Sequence, residues 1–231
     1  MSEKHNNRRE NRNNRLAKAF GTPNGKAMIA FLTAGDPSAD ATVEYILEME
    51  RAGADLIEIG IPFSDPTAEG TVIQEANIRA LKGGMTTDGA FDIVRRVREQ
   101  SRIPLAFMTY ANPVFRYGYD IFFTKCRELG VDALIVPDLP FEEKQEMEEP
   151  ARANNVALVS MIAPASESRI QEIASQAEGS YMWSPPWGAQ MPGARAGRTS
   201  APSWRTSARP PTCPAPSVPT SAHRNRRKPW G

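Results

Sequence analysis

GADLIEIGIPFSDPTAEGTVIQEANIRALKGG, residues 53–84, carries the pattern that decides the fold. Leu56-Ile57-Glu58-Ile59 is an apolar run of strand length, bounded by Gly53 and Pro62. Val72, Ile73, Ala76 and Ala80 then recur at helical spacing, and Gly83-Gly84 closes that helix. The segment between strand and helix holds no hairpin turn. A strand that passes directly into a helix is the repeating half of a parallel β-α-β arrangement.

The same alternation continues in both directions. Upstream, Ala30-Phe31-Leu32 reads as a strand ending at Gly35-Asp36-Pro37, and Ser38 is placed to cap a helix through Val43, Ile46 and Leu47. Downstream, Phe91, Val94 and Val97 mark a further helix, Pro104 to Met108 a third strand, and Ile121, Phe122, Cys126 and Leu129 one face of the next helix. Ala133-Leu134-Ile135-Val136 is the fourth strand, Val156 to Ile162 the fifth, and Ile170, Ile173 and Ala177 mark the helix after it. Strands buried on both faces read as nearly continuous apolar runs, as these do. Such a pattern suits an open doubly wound sheet or an α/β barrel. The turn after the first strand, TAGDPS, lacks the glycine-rich phosphate loop usual in the former, which favours the barrel.

Composition divides the chain. Its 231 residues are 40% hydrophobic and 24% charged, with a formal net charge of +1. That near-neutrality hides a split, because no acidic residue follows Glu178. Residues 180–231 carry seven Arg and one Lys, half of the 20 prolines and all four tryptophans, and among Ile, Leu, Val and Phe only Val218. Such a composition has no strand or helix period and buries too little apolar area to offset chain entropy, so disorder is expected there. The expected organisation is a polar extension over 1–15, a partial (βα)₈ barrel over 16–179 and a basic Pro/Ser/Arg-rich tail over 180–231. Cys126 and Cys213 form neither a disulfide framework nor a metal-ligand spacing. No apolar run reaches the ~18 residues that span a bilayer, and the polar N-terminus is unlike a secretory signal. A cytoplasmic protein is expected.

Glu58 is the residue that carries chemistry. A carboxyl inside an apolar strand is either an inward glutamate paired with a buried base or a desolvated acid whose raised proton affinity suits acid/base work. Glu69, eleven residues on in the loop after the same strand, is either a solvated carboxylate or the second of two carboxyls that divide labour at a barrel mouth.

Residues 53–81, together with FLTAGDPS, MTYANPVFRYG and GVDALIVPDLPFEE, resemble the tryptophan synthase α subunit family in order and spacing over residues 16–179. The resemblance implies a TIM (βα)₈ barrel and a lyase of tryptophan biosynthesis that cleaves indole-3-glycerol phosphate to indole and glyceraldehyde 3-phosphate. By that resemblance Glu58 matches the general acid/base. Glu69 matches the second catalytic carboxylate, usually aspartate, which holds the indole N–H. Phe31, Met108 and Ile135 match the lining of the indole pocket, with Tyr110 near them. The family subunit uses no cofactor or metal of its own. It works in an α-β-β-α assembly with a β subunit that carries pyridoxal phosphate, and the loops at Ser64-Asp65-Pro66 and Tyr110-Ala111-Asn112-Pro113 resemble the surface that meets it.

The resemblance stops at residue 179. The family continues with further strands whose loops grip the substrate phosphate, whereas GSYMWSPPWG and the tail after it read as an out-of-frame version of such a segment. Two alternatives to a working lyase are therefore a non-catalytic partner of the β subunit and an inactive frameshifted product.

Overall fold

The computed structural model describes residues 15–16, 19–20, 27–162, 180–183 and 205–206. Five strands follow one another in the sheet in chain order: β1 (Ile29–Thr33), β2 (Leu56–Gly60), β3 (Leu105–Met108), β4 (Ala133–Ile135) and β5 (Ala157–Ile162). Each pairs in parallel with the next. Between them run α1 (Ala39–Arg51), α2 (Thr71–Lys82), α3 (Thr87–Arg98), α4 (Ala111–Tyr117), α5 (Tyr119–Leu129) and α6 (Gln145–Ala153). Every strand and helix expected up to residue 162 is present. Ser38 caps α1 by accepting the Ala41 amide, as its position predicts, and Thr86 caps α3 through the Gly89 amide.

Period-2 alternation sorts the strand residues onto two faces. Leu32, Ile57, Ile59, Leu105, Phe107 and Leu134 join the helices in the larger core, built around Phe91, Phe122 and Phe123. Leu56, Ala106, Ala133, Ile135 and Val159 form a second cluster on the opposite face. Leu16 and Phe20 pack against it, and Arg15 reaches Asp132 just ahead of β4. Arg15, assigned from sequence to the polar extension, is thus anchored to the domain.

Three expectations change. Tyr110-Ala111-Asn112-Pro113 was expected as a loop but opens α4; Pro113 lies in the first turn, where its missing N–H leaves no helical bond unmade. Ile121 was expected on the buried face of α5 but is exposed, and Phe123 takes its place beside Phe122 and Cys126. The tail was expected to hold no strand, yet β6 (Ser180–Trp183) pairs in parallel with β5, and β7 (Arg205–Thr206) pairs antiparallel with β6. Tyr181-Met182-Trp183 is a β-prone run, and the open edge of β5 offers it backbone partners. The helix expected at Ile170, Ile173 and Ala177, and the disorder expected for the tail apart from these two strands, lie outside the described residues.

Candidate active site

Glu58 occupies the middle of β2, between Phe31 of β1 and Ala106 of β3. The cross-strand row continues through Ala133 to Ala157. Three alanines in succession leave space in front of the carboxyl on the inner face. The next row on the same face toward the strand ends runs Thr33, Gly60, Met108, Ile135, Val159. Met108 and Ile135, two of the expected pocket residues, are thus adjacent, and Phe31, the third, lies beside Glu58 itself. Gly60 makes room for this arrangement: a Cβ there would sit 2.8 Å from the Phe31 ring.

Glu58 is 7% exposed. No side chain among the described residues donates to it, and burial alone pushes its proton affinity up to about 7. Of the two readings left open by the sequence, a glutamate paired with a buried base has no support here. A carboxyl whose protonated and ionised forms are both populated near neutrality fits acid/base work. Thr33, at the end of β1, adds to the inner face of the strand ends a buried hydroxyl that has no partner among the described residues.

Glu69 lies half-buried in the segment from Ile61 to Gly70 that links β2 to α2. Its Oε2 accepts a hydrogen bond from the Tyr110 hydroxyl. The same phenolic oxygen accepts the Thr67 amide at 2.9 Å and the Ala68 amide at 2.7 Å. Phe63 lies against the Tyr110 ring with centroids 5.4 Å apart, and Gln74 of α2 donates to the Glu69 carbonyl at 2.9 Å. The structure thus joins Glu69 to the end of β3, next to Met108. Tyr110, expected from sequence as a substrate-binding residue near the pocket and as part of the loop that meets the β subunit, is the residue that organises this loop. No local sequence signal shows that role, because the contact spans 41 residues.

The sequence profile of the family described as "Tryptophan synthase alpha chain" matches residues 17–186. The chain belongs to that family. Among curated members of the tryptophan synthase alpha chain family, the protein of Alkaliphilus metalliredigens is 47% identical over 154 residues, covering 67% of this chain and 58% of its own length. That of Lacticaseibacillus casei is 42% identical over 165 residues, covering 71% and 61%. The chain thus spans about three fifths of the length of such relatives. Among solved structures, the tryptophan synthase subunit alpha of Legionella pneumophila superposes with a TM-score of 0.71 at 32% identity, covering 75% of this chain and 67% of that one. A chain of the Pyrococcus furiosus tryptophan synthase α₂β₂ complex superposes with a TM-score of 0.66 at 38% identity, covering 69% and 68%. The parallel β-α order described above is the α/β barrel fold of this family.

Proposed function

We propose that this chain acts in tryptophan biosynthesis as the lyase subunit that cleaves indole-3-glycerol phosphate to indole and glyceraldehyde 3-phosphate. The observation that carries this reading is Glu58, buried before a row of alanines with no side-chain donor among the described residues, its proton affinity raised to about 7. Carbon–carbon cleavage needs a proton delivered to the indole carbon that bears the glycerol chain. That leaves a cationic ring whose N–H must be held. The adjacent glycerol hydroxyl then loses its proton, its carbon becomes the aldehyde, and the electrons of the broken bond return to the ring. A protonated Glu58 delivers the first proton and, once ionised, accepts the second. Glu69 accepts the indole N–H as positive charge develops. Phe31, Met108 and Ile135 supply the apolar wall for the ring.

The reaction needs only acid/base chemistry, so the reading assigns this chain no cofactor and no metal. The partner is a β subunit, and the exposed Ser64-Asp65 turn and Phe115 of α4, 65% exposed, offer it a surface. A cytoplasmic location goes with this reading. The phosphate grip is assigned to the family segments that follow residue 186, where the match of this chain to the family profile ends.

The test joins residues 1–179 to the corresponding C-terminal segment of the Alkaliphilus relative and follows release of indole. In that chimera Glu69→Asp keeps most of the activity and Glu69→Asn loses about 10²-fold, because a charged acceptor at one position typically carries that much. Equal turnover of the two variants removes the role given to Glu69.

A further inference from the structure

A phenol has one hydrogen to give and two lone pairs to receive with. Tyr110 uses all three: it donates to Oε2 of Glu69 and accepts the amides of Thr67 and Ala68. The residue is 3% exposed. Its ring is held by Phe63 at 5.4 Å, and the backbone on its other side is held by Asp138, whose Oδ1 accepts the Ala111 amide at 2.9 Å. The phenol therefore has a fixed position on the rigid end of β3, and the loop is built around it. Among the described residues, Oε1 of Glu69 accepts no hydrogen bond.

We propose that Tyr110 is the positioning residue of this site: by holding one oxygen of Glu69 and two amides of its loop, it aims the other carboxylate oxygen at the N–H of an indole-type substrate. This rests on the reading of Glu69 given above. It differs from the pocket-lining role expected for Tyr110, because a hydroxyl whose donor and both acceptors are occupied has nothing left to offer a substrate. It also gives Thr67, Ala68 and Glu69 one shared anchor, beside the Gln74 bond to the Glu69 carbonyl. Burial holds the phenol above the usual tyrosine range, and the hydrogen bond to the Glu69 carboxylate raises it further.

The test uses the full chain and needs no turnover. In Tyr110→Phe, amide exchange at Thr67 and Ala68 should quicken by roughly five- to tenfold, the size of one net hydrogen bond, while amides of β2 and β3 keep their protection. In Glu69→Gln, ultraviolet titration of Tyr110, taken as the difference from Tyr110→Phe in the same background, should move down toward the ordinary tyrosine range, and Glu69→Asp should restore part of the upward shift. A tyrosine that merely fills space would leave both readings unchanged. Unaltered exchange at Thr67 and Ala68 in Tyr110→Phe, or a phenol titration indifferent to Glu69→Gln, overturns the proposal. These results are independent of cleavage, so failure of the lyase reading and failure of the tether are told apart.

Discussion

A carboxyl that burial keeps partly protonated near neutrality leaves a trace in stability as well as in rate. Glu58 takes up its proton at about 7 in the fold, above the ordinary glutamate value of 4.5. Between these two pH values the folded chain binds more protons at this residue than the unfolded chain does. Stability from this group is therefore complete below about pH 4.5 and is lost as pH rises through about 7. The full difference is worth on the order of 3 kcal/mol. Glutamine keeps the shape and removes the charge. Glu58→Gln is thus predicted to be more stable than the wild type at pH 8.5 by about 2–3 kcal/mol, with the gap closing toward pH 5. Urea unfolding at the two pH values measures it, and a constant difference would show that Glu58 is not desolvated. The apolar frame of this residue is visible in the sequence, where LIEIG places one acid among aliphatic residues. The tether at Glu69 is not visible there, since it depends on the register that brings the end of β3 beside the loop after β2.

At the scale of elements, aspartates near the strand ends brace neighbouring units. The amide of Met28, ahead of β1, donates to Asp55 ahead of β2, and the amide of Leu105, opening β3, donates to Asp132 ahead of β4. Asp138, after β4, takes the Ala111 amide at the start of α4. In each case donor and acceptor lie 27 residues apart. Asp132 does most. Its fully buried carboxylate also takes two bonds from Arg15 and one from Arg98, whose guanidinium in turn binds the carbonyls of Ile103 and Gly130. Asp132→Ala leaves two poorly exposed guanidiniums without their carboxylate and is predicted to cost about 3–5 kcal/mol. Asp55→Ala removes one exposed hydrogen bond and should cost about 1 kcal/mol. Comparable denaturation midpoints for the two variants would refute this ranking. A sequence signal for the braces does exist. Gly53-Ala54-Asp55 and Gly130-Val131-Asp132 repeat one motif, a left-handed glycine ending a helix, then an aspartate, then an apolar strand. The short helices α4 and α6 give weaker signals: each holds a proline, and with 7 and 9 residues neither shows two full periods of apolar spacing.

At the scale of the whole molecule, parallel order from β1 to β5 follows from strands that are apolar on both faces and joined by helices. Sequence alone reaches this order through β5, because each strand there reads as an apolar run. It does not reach β6, whose surroundings are rich in proline and arginine. The antiparallel β7 marks where the chain leaves the repeating scheme, close to where the match to the family profile ends at residue 186. Everything assigned to proton transfer lies before that point, on β1 to β4 and the loop after β2. On the proposed function, residues 1–179 hold the acid/base half of an indole-3-glycerol phosphate lyase. Its most direct test is the steady-state rate of indole release by the Alkaliphilus chimera, measured with Glu58 intact and with Glu58→Gln. Release is expected with glutamate and a loss of about 10²–10⁴-fold with glutamine, in a variant that still unfolds cooperatively; near-equal turnover of the two would contradict the reading.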